Sequence, residues 1–215
     1  MDAKRMVAVL QVQEGRIVAP EDGSDQGSPS LWARRLEMEG ADELLFVERG
    51  AGGAAKRDWL TAVARCLFIP FALEAPYRDG AEAAAALEAG ADRVVLAARA
   101  FTTFQPEAFG RSRTAASLEV SWSQELGWRT ALSALEALRE AGAGSIYLRA
   151  GTHALGDLFR QAARLPLPII LRCADPDLGV EALAHGADGL AFPAGLRTAA
   201  EYKALLLPAG VPLRR

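Results

Sequence analysis

Few side chains in this sequence combine a reactive type with a position that would support chemistry. Cys173 directly follows Arg172 near the end of a predicted strand, and the positive charge of an arginine can lower the pKa of a neighbouring thiol. His153 lies in a predicted loop after another strand, although a single loop histidine is more often exposed to solvent than catalytic. The sequence identifies no general base for Cys173. Both are therefore weak candidates for catalysis.

Metal and phosphate sites have equally little support. The two cysteines, Cys66 and Cys173, are too few for a disulfide framework and lack the spacing of metal ligands. The segment Gly50–Gly53 offers backbone N–H groups, as phosphate-binding loops do, but it follows neither the GxGxxG nor the Walker pattern. A flexible loop is the simpler interpretation. We expect no metal ion and no cofactor.

The elements that would position these side chains repeat along the chain. The tripeptide Gly-Ala-Asp, or its variant Gly-Ala-Gly, begins at four glycines, Gly40, Gly90, Gly142 and Gly186. Each copy follows a segment rich in Ala, Leu and Glu and precedes a short apolar run, which predicts a helix that ends at the glycine and a strand that begins after it. The copies are roughly 44 to 52 residues apart, which is enough for two strand-helix units each.

Four copies of two units predict eight units in all. Ile69–Leu73 has an echo in Leu167–Leu171 about half a chain later, as expected of a half-barrel repeat. We therefore predict one α/β domain over residues 1–215, a (β/α)8 TIM barrel. A tight turn with a returning strand is predicted over Gln13–Val18, and a loop over Glu21–Ser28.

Composition argues against several classes of partner. The net charge of −3 and the lack of a clustered basic tract argue against nucleic-acid binding. No apolar run approaches the roughly 20 residues of a membrane span. Met1–Arg5 leads directly into a predicted strand, without the apolar region of a signal peptide. We expect a cytoplasmic protein that binds neither nucleic acid nor membranes.

Several segments carry a resemblance to a known family. Ala3–Val18, Asp42–Glu48, Lys56-Arg57 and Ile69–Phe71 resemble the cyclase subunit of imidazole glycerol phosphate synthase, a barrel of histidine biosynthesis. The likeness spans essentially the whole chain, and the half-barrel repeat is itself a trait of that family. The resemblance implies a lyase that closes an imidazole ring on a doubly phosphorylated substrate.

The resemblance also implies two catalytic acids, one at the end of the first barrel strand and one at the end of the fifth. Gln11 occupies the first position and Glu119 the second. Because a carboxamide has no proton to exchange near neutral pH, Gln11 can hold a hydrogen bond but cannot serve as an acid or a base. Glu119 keeps a carboxylate on a longer side chain. One of the two implied catalytic groups is therefore lost.

The segments that the resemblance assigns to phosphate binding differ as well. In place of glycine-rich turns and small hydroxyl or amide residues the chain has Glu74-Ala75-Pro76, Arg172-Cys173-Ala174, Ala97-Ala98 and Pro193-Ala194. Proline removes a backbone donor, alanine side chains offer none, and Glu74 would repel a phosphate. We expect the grip on a doubly phosphorylated substrate to be lost.

In the family register, four charged side chains should point inward at the end of the barrel where the strands finish. They are Glu48, Glu119, Arg149 and Arg172, with Glu74 nearby. One hypothesis is a buried ion-pair cluster that closes the pocket with its own side chains. The other is a site for a smaller anionic ligand, in which Arg149 and Arg172 bind the anion and Glu119 carries a proton.

Charged residues at the opposite end of the barrel follow the family more closely. The resemblance implies a gate of four charged residues through which ammonia arrives from a glutaminase partner. Arg5, Glu43 and Arg93 match three of them, and Ser145 replaces the fourth. These charges could stabilise the end of the barrel by satisfying one another, or they could retain a surface for a glutaminase-like or other protein partner.

Three functional hypotheses follow. The first is a barrel that has lost the cyclase activity and keeps a binding or scaffold role. The second is an active cyclase or lyase that uses Glu119 alone. The third is an enzyme for a smaller anionic substrate, with Glu119, Arg149 and Arg172 as its working residues. The loss of both an acid and the phosphate-binding turns favours the first.

Overall fold

The computed structural model describes residues 3–50, 58–101, 103–104, 106–120, 127–150 and 155–213. In chain order its strands are β1 (Arg5–Gln13), β2 (Arg16–Val18), β3 (Asp25–Gly27), β4 (Glu43–Glu48), β5 (Phe71–Glu74), β6 (Arg93–Ala97), β7 (Thr114–Val120), β8 (Ile146–Ala150), β9 (Ile169–Arg172) and β10 (Gly189–Pro193). The helices are α1 (Pro29–Met38), α2 (Asp58–Cys66), α3 (Gly80–Glu88), α4 (Ala98–Phe101), α5 (Gly127–Glu140), α6 (Leu155–Ala162), α7 (Pro176–Ala184) and α8 (Ala199–Leu206).

The sheet closes on itself. Strands β1 and β4 to β10 pair in parallel with their neighbours, and β10 returns to pair with β1, where Arg5 lies opposite Gly189. Eight parallel strands alternating with eight helices confirm the predicted (β/α)8 barrel. We call the end where the strands begin the floor, and the end where they finish the mouth.

The predicted hairpin is present at the mouth end of β1. Strands β1 and β2 pair antiparallel, and the two residues between them, Glu14 and Gly15, have φ values of 50° and 77°. Positive φ at both positions is the geometry of a two-residue hairpin turn. The loop predicted over Glu21–Ser28 is partly wrong, because β3 pairs with β2 and the Asp25 side chain holds Arg16 at 3.0 Å.

The Gly-Ala-Asp repeats connect helices to strands as expected. All four glycines have positive φ, from 87° at Gly40 to 121° at Gly186. In three copies the aspartate accepts a hydrogen bond from a backbone N–H in the first two residues of the preceding barrel strand. These pairs are Met6 N–H to Asp42 at 2.7 Å, Phe71 N–H to Asp92 at 2.9 Å and Ile169 N–H to Asp188 at 2.9 Å. The repeated carboxylate therefore fastens each strand to the next one at the floor.

The third copy lacks this carboxylate for a steric reason. Gly144 replaces the aspartate, and a Cβ at this position would lie 1.6 Å from the carbonyl oxygen of Arg111. The short 3-10 helix Arg111–Arg113 occupies the space that a side chain would need. The close approach of the Arg111 backbone therefore explains why glycine replaces aspartate in this copy.

Two apolar layers surround the sheet. One face of the strands packs against the helices, and the other fills the barrel with Val7, Leu45, Ala72, Val95, Ala115, Tyr147, Ile170 and Ala191. Because side chains alternate along a strand, residues two positions further along point the same way. The interior set therefore identifies which polar residues at the floor and the mouth face inward. In the described ranges we find no helix with the length and apolar character needed to cross a bilayer.

Candidate functional site

The floor of the barrel is held together by one buried carboxylate. Glu43 is 1% exposed. It accepts hydrogen bonds from Arg93 at 2.5 Å, from the Tyr147 hydroxyl at 2.7 Å and from Arg5 at 3.4 Å. Two cations and a hydroxyl around one anion compensate its burial. Arg5, Glu43 and Arg93 therefore form ion pairs with one another, as one of the two hypotheses for this end of the barrel expected.

Burial and the charge of Glu43 together determine the protonation states of Arg93 and Tyr147. Burial alone would lower the pKa of the Arg93 guanidinium, but the charge of Glu43 and its hydrogen bond outweigh that effect and raise it. Burial raises the pKa of Tyr147 well above its ordinary value, and the neighbouring Glu43 raises it further. Tyr147 is thus a neutral hydrogen-bond donor, and Arg93 a fixed cation. Neither has the properties of a proton carrier near neutral pH.

At the mouth, one ion pair lies inside the barrel. Arg172 Nη1 contacts Glu74 Oε2, and the two side chains are 9% and 22% exposed. Arg172 is on β9 and Glu74 is on β5, strands that are not neighbours in the sheet, so the pair crosses the interior. This part of the predicted self-closing cluster is present.

The second pair of the predicted cluster lies apart from the first. Arg149 and Glu119 face each other across the adjacent strands β8 and β7, with 3.8 Å between Nη1 and Oε2. Their side chains are 54% and 71% exposed, so solvent screens the pair. The prediction of one buried cluster is therefore wrong for Arg149 and Glu119, which form an open pair on the rim. Both residues are next to the last residue of their strands, at the end of the barrel that is open to solvent.

Gln11 lies near the mouth end of β1, where it pairs with Val18 of the hairpin. It shares the inward side of β1 with Val7 and Val9. Its Oε1 is buried, and among the described residues no donor lies within hydrogen-bond distance of it. Native proteins satisfy most buried polar atoms, so an unpaired acceptor here calls for a donor other than the described residues.

Glu48 does not face the mouth as predicted. Its position on β4 alternates with the interior residues Leu45 and Val47 and matches Leu44 and Phe46, which pack toward the helices. The carboxylate is buried on that outer side, with 8% of the residue exposed. Strand parity, which places every second residue on the same face, excludes it from the interior.

Two cavities open at the mouth beside Gln11. The larger, of about 280 Å³, lies between the hairpin, α1 and the segment after β10. The smaller, of about 150 Å³, contains Arg149, Arg172 and Cys173. Val9, Gln11, Pro20 and Pro193 line both. The two cavities are therefore adjacent and share these four lining residues.

Cys173 lacks the activation that its neighbour suggested. Burial raises the pKa of its thiol to about 12, and the charge of Asp175 adds to the rise. The positive charge of Arg172 is already engaged by Glu74. A thiol that stays protonated is a poor nucleophile, so the prediction of a lowered pKa is wrong. His153 and most of Gly50–Gly53 lie outside the described residues.

Sequence reasoning missed two parts of the site. Tyr147 closes the interior above the floor, and Trp32 walls the larger cavity. The spacing of Tyr147, two residues before Arg149 on the same strand, could have identified it as inward-facing. Nothing local in the sequence indicates that Trp32 comes near Gln11, because α1 reaches the hairpin only in the folded barrel.

A family model described as histidine biosynthesis protein matches residues 5–149. Three relatives are described as imidazole glycerol phosphate synthase subunit HisF. The protein from Myxococcus xanthus (strain DK1622) is 33% identical over 216 residues, covering 89% of this chain and 82% of that protein. The one from Thermococcus onnurineus (strain NA1) is 27% identical over 249 residues, covering 100% and 99%. The match with the Maricaulis maris (strain MCS10) protein, 40% identical over 100 residues, covers 44% of this chain and 39% of that protein.

Solved structures show the same fold at lower identity. Dihydropteroate synthase from Xanthomonas albilineans superposes with a TM-score of 0.65 at 17% identity, over 98% of this chain and 94% of that one. The Coxiella burnetii enzyme superposes with a TM-score of 0.69 at 14% identity, over 97% and 94%. At such identities the likeness concerns the barrel alone. The family model matches most of the chain, and two relatives that it matches over 100% and 89% of its length are 27% and 33% identical to it. The chain therefore belongs to the histidine biosynthesis protein family, as a divergent member.

Proposed function

We propose that this chain is a ligand-binding barrel of the histidine biosynthesis family that no longer closes the imidazole ring. The observation that carries the proposal is the end of β1. Gln11 stands where the resemblance implies a catalytic acid, and its buried Oε1 has no hydrogen-bond partner among the described residues. A carboxamide does not gain or lose a proton near neutral pH, so it can orient a bound molecule but cannot exchange protons with it.

The surviving carboxylate is poorly placed for acid-base work. Glu119 is 71% exposed and lies opposite Arg149 on the rim. Water competes with a substrate for such a group, whereas catalysis uses groups in sites from which water is excluded. Loss of one acid-base partner typically lowers a rate by about 10² to 10⁴. This placement supports a loss of activity over a cyclase or lyase that relies on Glu119 alone.

The mouth also offers little to a doubly phosphorylated molecule. Of the two arginines described in the smaller cavity, Arg172 is the more buried, and Glu74 already neutralises it. Pro193 ends β10 and has no N–H to donate. Two phosphate groups would bring several negative charges to a site whose remaining cation, among the side chains described near Gln11, is the exposed Arg149.

A cyclase assay tests the proposal directly. The purified chain is incubated with the cyclase substrate of its relatives and ammonium as nitrogen source, with the Thermococcus onnurineus subunit as positive control. We expect no turnover above the enzyme-free reaction. Gln11→Asp should not restore it, because the phosphate-binding turns have changed as well. Turnover by the unmodified chain would overturn the proposal, and turnover by Gln11→Asp alone would show that the substrate still binds.

The floor supports a structural role for Arg5, Glu43 and Arg93. Their charges are directed at one another and at Tyr147, whose buried ring fills the interior just above them. An ammonia path from a glutaminase partner would have to pass this ring. We therefore assign these residues to barrel stability and include no gate function in the proposal. Addition of a glutaminase subunit to the cyclase assay should leave the result unchanged.

A further inference from the structure

The larger of the two cavities at the mouth has a mostly apolar wall. Its volume is about 280 Å³, and it is enclosed by β1, the hairpin, α1 and the segment after β10. Its apolar lining residues are Val9, Leu10, Ile17, Val18, Ala19, Pro20, Trp32, Pro193, Ala194 and Leu196. Ligand pockets in proteins are typically lined in this way, with a small number of polar groups. The cavity therefore suits a small molecule with an apolar body.

The charge at this cavity is negative. Glu21 is the one charged residue among the described residues that line it, and neither a lysine nor an arginine is among them. The Glu21 side chain is exposed, and within the described ranges it takes part in no ion pair. Residues 14–25, which surround it in sequence, include four carboxylates and one arginine, a net charge of −3. An anionic ligand would be repelled here, and a cationic one attracted.

The positive side chains described near the cavity do not cancel this charge. Arg35 lies over the Trp32 ring, with 5.1 Å between Cζ and the ring centroid, and its Nε contacts Glu39 at 2.7 Å. The two arginines of the smaller cavity contact carboxylates of their own. Arg197 follows a lining residue in sequence, but it is exposed and is not part of the lining. Solvent therefore screens its charge.

The wall that carries the negative charge is held in place by hydrogen bonds. In the loop after β2, Ala19 N–H donates to the Ser24 carbonyl at 2.9 Å, and Gly23 N–H donates to the Ala19 carbonyl at 3.0 Å. The Trp32 indole N–H donates to the Gln26 carbonyl at 2.8 Å and so joins α1 to β3. The loop and the indole ring are thus in place before a ligand binds, which lowers the entropic cost of binding.

From this arrangement we infer that the larger cavity binds a small amine with an apolar body, in its ammonium form. The ammonium group lies at Glu21, and the apolar body lies against Trp32 and Leu196. The inference deepens the proposed function and rests on it, since it names the ligand class of this binding barrel. Such a ligand has the opposite charge to the doubly phosphorylated substrate that the family resemblance implies.

Three compounds of similar shape test the charge preference. Near neutral pH phenethylamine is a cation, phenethyl alcohol is neutral and hydrocinnamate is an anion. Titration calorimetry of the full chain should give a Kd below about 1 mM for the amine and binding about tenfold weaker for the anion, with the alcohol between them. Added salt should narrow these differences, because Glu21 is exposed. Ethylamine, which lacks the ring, should bind at least about tenfold more weakly than phenethylamine.

Two variants, each with a control, assign the contacts to residues. Glu21→Gln should bring the affinities for phenethylamine and hydrocinnamate to within about threefold of each other, whereas Glu14→Gln, at the hairpin turn and outside the lining, should keep them apart. Leu196→Ser should weaken all three compounds by about three- to tenfold and keep their order. Leu207→Ser removes a similarly exposed leucine outside the lining and should leave the affinities unchanged. All four side chains are exposed, so we expect each variant to fold.

Three outcomes would overturn the inference. They are no saturable binding of phenethylamine up to about 10 mM, binding of hydrocinnamate at least as tight as that of the amine, and a preference for the amine that survives in Glu21→Gln. The calorimetric result is independent of the cyclase assay. Cyclase turnover would contradict the proposed function whatever the amine does, and a failed titration would leave the loss of cyclase activity untouched.

Discussion

The hydroxyl of Tyr147 donates a hydrogen bond of 2.7 Å to Oε1 of Glu43, a residue 104 positions earlier in the chain. The bond joins the second residue of β8 to the first residue of β4 through the interior of the barrel. It gives a buried carboxylate a third donor besides Arg5 and Arg93. A hydrogen bond to a charged group contributes more to stability than one between neutral groups.

Replacement of this hydroxyl should therefore be costly. We expect Tyr147→Phe to lower the free energy of unfolding by about 1.5 to 3 kcal/mol, measured by urea denaturation. Tyr202→Phe is the matched control, since its ring is also buried but its hydroxyl donates to the neutral carbonyl of Ala174 at 3.2 Å. That change should cost about 0.5 to 1.5 kcal/mol. Equal costs would show that Glu43 gains nothing special from Tyr147.

The two ion pairs at the mouth should differ in energy. A double-mutant cycle with Glu74→Gln and Arg172→Gln should give a coupling of about 2 kcal/mol or more, because the pair is shielded from water. The same cycle with Glu119→Gln and Arg149→Gln should give less than about 1 kcal/mol. Added salt should reduce the small coupling more than the large one. A strong coupling on the rim would contradict the open pair described above.

The glycines of the repeats are equivalent in backbone but not in surroundings. Gly90 and Gly40 both have positive φ, at 114° and 87°. A Cβ on Gly90 would lie 2.4 Å from Cβ of Ala64, whereas in the described part of the chain no atom lies within 4 Å of a Cβ on Gly40.

Alanine substitutions at the two sites should distinguish the cost of backbone strain from the cost of steric overlap. Gly40→Ala should cost about 1 to 2 kcal/mol from the left-handed conformation alone. Gly90→Ala should cost about 1 to 3 kcal/mol more, because α2 must move to make room. Thermal or urea unfolding of both variants measures the difference. Similar costs would mean that the loop after α3 shifts freely away from Ala64.

The thiol of Cys173 should react slowly. Its pKa is raised by burial to about 12 from an ordinary 9.0, so nearly all of it is protonated at pH 8. In a Cys66→Ala background, alkylation by iodoacetamide followed by mass spectrometry should be at least about 100-fold slower than for free cysteine. The rate should rise about tenfold per pH unit until the fold is lost. Fast alkylation at pH 8 would contradict a thiol that stays protonated.

The same shift links Cys173 to stability at high pH. A group whose pKa is higher in the folded than in the unfolded chain favours the folded state while it is protonated. Its contribution is therefore complete below pH about 9 and is lost as the pH rises toward 12. Cys173→Ser should lessen the fall in stability over this range, as measured by urea denaturation at several pH values.

Much of the barrel was determined by the sequence alone. Glycines that end helices, the aspartates that follow them and the short apolar runs are local patterns, and a helix or strand within one repeat forms from neighbouring residues. The hairpin turn at Glu14 and Gly15 is local in the same way. These features therefore predicted the order and type of the barrel strands and, through the half-chain repeat, the closed fold.

The partners of the charged residues were decided by the tertiary structure. Arg172 pairs with Glu74, 98 residues away, because both point into the barrel from strands that face each other. Arg149 remains on the rim, and Glu48 lies on the helix side because strand alternation sends it outward. Long-range pairing depends on which side chains share an interior and on how deeply water reaches them, and neither is a property of any segment by itself.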